Sequence, residues 1–251
     1  MMRGPSITRA MLVVLLSIGA TACDRADKID RAPILLFAGT GTSAGDVAAV
    51  ERVLTQNHFA YATATSLQLN RLSASELMAY RLVIVPGGNF IDMSNSLTPQ
   101  TMARIHDAVQ GGVNYLGICA GAFLAGDGRG YYKSFNLTSG VRFGFYSAEN
   151  RGLRKAVVAV SDVNAATMEH YWEDGPELSG WGTVVGKYPD GTAAIVEGTS
   201  GHGWLILLGV HPEAPESWRR GMPFSTPARV ANAYAGTLIE AALTRSPLPH
   251  Y

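Results

Sequence analysis

The chain has 251 residues, 47% hydrophobic and only 16% charged, which is enough apolar surface for one full-sized core and too much for intrinsic disorder. Lys plus Arg and Asp plus Glu each number 20, so no net field favours nucleic acid as a partner, and no basic run supplies an arm to bind it. The 28 glycines and 12 prolines come without a low-complexity run or internal repeat, which excludes fibres and solenoids, and two cysteines cannot build a disulfide framework.

The first feature in chain order is an export signal. Arg3 and Arg9 give a positive, acid-free start, and Ala10 to Ala22 is an uncharged stretch built on Met11-Leu12-Val13-Val14-Leu15-Leu16-Ser17-Ile18. These 13 residues are too few to span roughly 30 Å of hydrocarbon, so residues 1–22 read as a secretory signal rather than a transmembrane helix. The stretch ends in Ala20-Thr21-Ala22-Cys23, small residues running into a cysteine, which resembles a bacterial lipoprotein cleavage site with Cys23 as the lipidated residue. The alternative is ordinary cleavage after the Ala-x-Ala pattern, leaving Cys23 as a plain N-terminal thiol. Both readings imply export to the bacterial cell envelope or periplasm, and lipid on Cys23 would make the membrane a partner. Cleavage removes Arg3 and Arg9 and leaves a formal charge of −2. Residues 23–32, charged and small, read as a tether, and residues 33–251 as one domain. With Cys23 acylated, Cys119 is the remaining free thiol, which is unusual in an exported protein.

Strands and helices then alternate. Pro33 to Phe37 is an apolar strand, followed by a Gly/Thr/Ser loop from Gly39 to Gly45 and a helix over Asp46 to Gln56 with Val47, Val50, Val53 and Leu54 on one face. Phe59 to Thr65 reads as a strand, Ser73-x-x-Glu76 as the capping box of a short helix, and Leu82 to Val85 as a buried strand. A helix from Pro99 to Gln110 closes at Gly111-Gly112 and leads to the apolar strand Val113 to Ile118. From Lys155 the texture changes to short runs, Ala156 to Val160, Gly182 to Tyr188, Ala193 to Glu197 and Trp204 to Val210, separated by turns such as Pro189-Asp190-Gly191-Thr192, which suits antiparallel ribbons. A final helix covers Pro227 to Thr244. The expected fold class is α/β: a doubly wound, mostly parallel sheet with helices on both faces and antiparallel ribbons in the C-terminal half.

Three motifs fall at strand ends. In Gly117-Ile118-Cys119-Ala120-Gly121-Ala122 an apolar strand runs straight into a small-residue helix, and glycines on both sides of Cys119 permit the tight elbow that presents a nucleophile. The thiol then sits at a helix start, and the N–H of Ala120 points to the same spot as an oxyanion donor. The competing reading is a buried structural cysteine packed among glycines. His211-Pro212-Glu213 follows the strand Trp204 to Val210; the two-residue spacing puts imidazole and carboxylate on one side, so Glu213 can orient His211, whereas a surface His beside a surface Glu is the plain alternative. No H-E-x-x-H or cysteine cluster completes a metal site, so no metal is expected. Val85-Pro86-Gly87-Gly88-Asn89 ends another buried strand, where Gly87 or Gly88 offers a second backbone oxyanion donor or forms a simple turn. The loop from Gly39 to Gly45 misses the G-x-G-x-x-G spacing by one residue, so no dinucleotide cofactor is expected.

In that order, PGGN, GICAGA and GVHPE resemble the class I glutamine amidotransferase-like superfamily, whose catalytic triad is Cys, His and Glu. Tyr115 to Ala122, the Tyr188-Pro189-Asp190-Gly191 turn and Gly201-x-Gly203-Trp204 through Glu213 are most similar to the domain at the N-terminus of fungal-type biotin-protein ligases, which also occurs alone in bacteria. The resemblance covers roughly residues 33 to 218 and implies a flavodoxin-like core, a Cys119, His211, Glu213 triad and no cofactor. It departs where glutaminases carry a Gln after the elbow, since Phe123 and Leu124 stand here; glutamine is not the expected substrate. The 38 residues after Glu213 are too few for an ammonia-using synthase domain. A glycine- and arginine-rich biotinyl-adenylate loop is also lacking, so biotinylation is not expected. The resulting expectation is thiol-mediated hydrolysis or transfer at the amide or ester carbonyl of a small molecule or peptide. The alternative is an envelope binding or scaffolding module that keeps the fold and pocket without turnover.

Overall fold

Four apolar runs build the centre of the sheet, and none of them alternates with polar residues because both faces of each strand are covered. The computed structural model describes residues 1–2, 32–147 and 155–251. The expected signal beyond residue 2, Cys23 and the tether as far as residue 31 lie outside them. The first half contains β1 (Ile34–Phe37), α1 (Ala44–Gln56), β2 (Tyr61–Ala64), α2 (Ser66–Arg71), α3 (Ala74–Met78), β3 (Leu82–Val85), α4 (Phe90–Ser96), α5 (Pro99–Gln110), β4 (Asn114–Ile118) and α6 (Ala120–Ala125). The second contains β5 (Gly144–Phe145), β6 (Lys155–Ser161), β7 (Thr167–Glu173), β8 (Pro176–Glu177), β9 (Thr183–Lys187), β10 (Ala193–Ser200), β11 (Gly203–Leu208), α7 (Glu216–Arg219) and α8 (Ala228–Thr244).

The nine-stranded sheet runs β2-β1-β3-β4-β11-β10-β9-β6-β7. Its first five strands are parallel, with Leu35 opposite Val83, Ile84 opposite Leu116 and Ile206 opposite Leu116. The remaining strands extend it antiparallel. Trp204 to Val210, read from sequence as one of the ribbons, is therefore of both kinds: β11 is antiparallel to β10 and parallel to β4. That pairing decides where His211 emerges.

Period-2 alternation sorts the strand side chains into two cores. Leu35, Phe37, Val83, Val85 and Tyr115 pack with Met102, Ile105 and Val109 of α5 and with α6 on one face. Ile34, Leu36, Leu82, Ile84 and Leu116 pack with Val50, Val53 and Leu54 of α1 and Leu238 and Ile239 of α8 on the other. The result is a three-layer α/β sandwich. Helix starts follow local chemistry: Ser73 and Glu76 form the capping box of α3, Thr65 and Gln68 form a second at α2, and Pro99 opens α5. The helix α4, capped by Asn89, and the strand β7 were not expected from the sequence. Among the described residues no helix is long and apolar enough to cross a membrane.

Candidate active site

Parallel strands in one sheet all end at the same edge, and α/β folds bind ligands there. At this edge β1 leads into the Gly39 to Gly45 loop and the first turn of α1, β3 into Gly87-Gly88-Asn89, β4 into Cys119, and β11 into Gly209-Val210-His211.

Cys119 occupies the elbow between β4 and α6 with φ 49° and ψ −102°, a left-handed conformation that costs a non-glycine residue strain and is held by its surroundings. Its N–H donates to the Leu208 carbonyl at 2.8 Å, which ties the elbow to β11. The flanking glycines are required by contact. A Cβ on Gly121 would lie 2.0 Å from the Val85 carbonyl oxygen, and one on Gly117 would lie 2.7 Å from the Gly121 carbonyl carbon and oxygen. The Tyr115 hydroxyl closes the turn by donating to the Gly121 carbonyl at 2.7 Å. Cys119 itself is 6% exposed, and its Sγ lies 3.5 Å from the Glu173 carbonyl oxygen.

His211 is buried beside it. The His211 N–H donates to the Tyr171 carbonyl, and the Asn232 side chain of α8 donates to the carbonyls of Pro212 and Ala214, so the His-Pro-Glu turn is fixed from two sides. The rings of Tyr171 and Trp218 pack on the imidazole at centroid distances of 5.9 and 6.0 Å. Nδ1 lies 2.8 Å from Glu213 Oε1 and donates to it, so Nε2 is the ring nitrogen left to exchange a proton with a reacting group. Cys119 is close enough to the imidazole to raise its pKa, and both side chains line the same cavity.

A second carboxylate, not identified from the sequence, shares Nδ1. Asp46 Oδ1 lies 3.2 Å from it and is itself buried. Asp46 stands in the first turn of α1, whose N-cap Ser43 accepts a hydrogen bond from the Asp46 N–H at 3.3 Å. In the sequence Asp46 is only the first residue of the expected helix, and nothing local links it to His211. Gly87 explains itself here: a Cβ would lie 2.1 Å from Asp46 Oδ1 and 2.7 Å from His211 Cε1. Gly87 thus makes room for the pair.

Electrostatically the trio is coupled. Burial opposes the charged imidazolium, but the Glu213 charge and the interactions in which Asp46, Cys119 and Glu213 accept from the ring outweigh it, so the His211 pKa stands well above the usual imidazole value. Burial pushes Asp46 upward, yet its contacts with His211 and Ser43 prevail and hold it below the ordinary carboxylate range. For Glu213 burial is the larger effect and raises its pKa despite His211. The positive charge therefore resides on the imidazole and the firmest negative charge on Asp46. Single donor atoms of Asp46, His211 and Glu213 lie within 4.8 Å of one another and could also hold a metal ion.

These groups open onto a cavity of about 350 Å³ lined by Cys119, His211, Ala120 and Gly88. Neither the Ala120 nor the Gly88 N–H has an acceptor among the described residues. Of the backbone groups expected at an oxyanion, Gly88 and Ala120 line the cavity, while Gly87 lies behind it against Asp46 and His211. Phe145 also lines it; Tyr171 and Tyr132 stand one layer back, against His211 and Phe90.

The comparisons with known proteins agree with this architecture. The family model described as biotin-protein ligase, N terminal, matches residues 32–226. Among solved structures, a glutamine amidotransferase is similar at TM-score 0.53 and 16% identity, over 72% of this chain and 90% of that one. PurLQS from Thermotoga maritima is similar at TM-score 0.56 and 15% identity, over 84% of this chain and 99% of that one. The exo-beta-1,4-mannosidase Op5Man5 from Opitutaceae bacterium strain TAV5 is similar at TM-score 0.54 and 13% identity, over 85% of this chain and 36% of that one. At such identities the likeness establishes the fold. No curated protein matches the sequence.

Proposed function

Because the chain belongs to the biotin-protein ligase N-terminal family over residues 32–226, we propose that this amidotransferase-like protein is a thiol-dependent hydrolase or acyl transferase acting on an amide or ester carbonyl. Cys119 is the nucleophile, His211 its base, and Glu213 the group that orients the imidazole. The observation that carries the reading is a cysteine in a strained elbow that lines one cavity with a histidine made strongly basic by buried carboxylates.

Cys119 enters as the thiolate of an ion pair with the imidazolium, the thiol proton already on Nε2, and the thiolate adds to the carbonyl carbon while the N–H groups of Ala120 and Gly88 receive the oxyanion. Collapse of the tetrahedral species forms a thioester and expels the amine or alcohol, which takes its proton from the imidazolium. Water, deprotonated by His211, then cleaves the thioester and restores the ion pair; an acceptor amine in place of water would give transfer. Mass spectrometry of protein incubated with an envelope extract should find an acyl adduct on the Cys119 peptide that is absent from His211→Ala. If no adduct forms on Cys119 under any extract, the binding-module reading replaces this one.

Export and lipid anchoring complete the proposal and rest on the sequence of residues 1–23. Cys23→Ser should move the protein from the membrane fraction to the soluble fraction. A variant that still sediments with membranes would remove the anchor from the account.

A further inference from the structure

One wall of the cavity is aromatic and is built on the same elements as the reacting groups. Phe123 stands in α6 four residues after Cys119, so the pitch of the helix sets it one turn beyond the thiol. Phe90 is the first residue of α4, two after Gly88, one of the two oxyanion donors. Phe145 reaches over from β5, which is tied to β8 where Phe145 pairs with Pro176. The Phe90 and Phe123 rings stack at 4.6 Å, and Phe145 lies 4.8 Å from Phe123 and 6.1 Å from Phe90. All three line the cavity with Cys119. Tyr132 backs them, its ring edge-on to Phe90 at 4.8 Å and its hydroxyl donating to the Phe123 carbonyl at 3.1 Å. Phe123 is 3% exposed and Phe145 46%, so a buried aromatic floor continues into a ring that is half open to water.

The place of this wall decides which half of a substrate meets it. The imidazole is packed by Tyr171 and Trp218, and among the described residues neither of those rings touches the three phenyl rings. The leaving amine or alcohol takes its proton from the imidazolium and must lie on that side. The phenyl wall, next to the oxyanion donors, is left for the acyl half. Glu173, elsewhere in the lining, is paired with Lys155 at 3.5 Å and accepts from the Tyr171 hydroxyl, so apolar contact and not charge is what selects.

We infer that the cavity is an acyl pocket for an aromatic group, and that the substrate is the amide or ester of an aromatic carboxylic acid whose ring packs on Phe90, Phe123 and Phe145. This rests on the reading of Cys119 as the nucleophile. The volume of about 350 Å³, near the lower end of the roughly 300–1,000 Å³ typical of small-molecule sites, suits one ring on a short linker. Offset stacking on the phenyl faces adds to the burial of the ring. Glutamine fits poorly, because its acyl half would set an ammonium and a carboxylate against the rings.

Aldehydes test the pocket on the full chain, since an aldehyde carries the acyl half of a substrate and no leaving group. The thiolate adds to the aldehyde carbon and the oxygen takes the imidazolium proton, giving a reversible hemithioacetal. Phenylacetaldehyde and acetaldehyde are compared by the concentration that halves iodoacetamide labelling of the Cys119 peptide, each corrected by the affinity of the same aldehyde for 2-mercaptoethanol. Burial of the ring should make phenylacetaldehyde about 10-fold to 100-fold tighter than acetaldehyde. Phe145→Ala, at a half-exposed position, should lower that ratio several-fold, and Phe123→Leu should lower it through the buried ring. Equal corrected affinities, or a ratio that survives in both variants, overturn the inference. If neither aldehyde protects Cys119 and its labelling is slow and unchanged in His211→Ala, the nucleophile fails instead, so the two failures are distinguishable.

Discussion

Gly121→Ala is expected to destabilise the domain by about 3 kcal/mol or more, because the new methyl group would meet backbone and not a side chain that can turn away. The intruding Cβ would sit 2.0 Å from the carbonyl oxygen and 2.8 Å from the carbonyl carbon of Val85, in the middle of the parallel sheet. Relief requires α6 to lift from β3, and Cys119 moves with it. For a domain of this size the loss corresponds to a fall in Tm of roughly 6–12 °C. Gly144→Ala is the matched control, since nothing lies within 4 Å of its Cβ position and its φ is not positive. Thermal unfolding of the two variants side by side checks the elbow packing; equal Tm values would mean that α6 does not pack on Val85 as described.

The second large effect concerns the proton on His211. Glu213→Gln keeps an oxygen to accept from Nδ1 but removes the charge, and Asp46→Asn does the same on the other side. Each change should slow Cys119 alkylation at pH 7 about tenfold, the loss expected for one unit of imidazole pKa. The double variant should lose about 10²-fold to 10³-fold, where burial is left unopposed in disfavouring the imidazolium. The difference should narrow above about pH 9, where hydroxide ionises thiols without help. Stability should follow the same proton. The folded pKa of His211 lies above the unfolded value near 6.5, so its pairing contributes fully below that pH and is lost as the pH rises through the folded value. In the double variant this upper-side dependence should flatten. Unchanged labelling and an unchanged pH profile would show that the carboxylates do not set the state of the imidazole.

Much of this site was legible because its parts are local. The glycines around Cys119 are spaced for an elbow, His211 and Glu213 stand two apart after an apolar run, and the Ser73 and Glu76 caps and Pro99 at a helix start announce themselves within four residues. Phe90–Ser96 was lost because its cap, Asn89, belongs to a Pro-Gly-Gly-Asn segment that reads as a turn. Thr65 and Gln68 form the same box as Ser73 and Glu76, on a helix of only six residues. Strand β7 mixes Glu169, His170 and Glu173 with its aromatics, which hides its alternation and the place of Glu173 in the cavity wall. Asp46 could not be paired with His211 from spacing, since 165 positions separate them and only the parallel insertion of β11 beside β4 brings the two loops together. Pairing of distant strands is a property of the folded sheet and not of any window of sequence.

The central claim is that Cys119 is a nucleophile activated by His211. The rate of iodoacetamide alkylation of Cys119 at pH 6.5, compared between the native chain and a folded His211→Ala variant, tests it most directly. The account predicts labelling clearly faster than that of a free thiol at the same pH, and a fall of at least about tenfold in the variant. A native rate at or below that of a free thiol, unchanged by removal of His211, would contradict it.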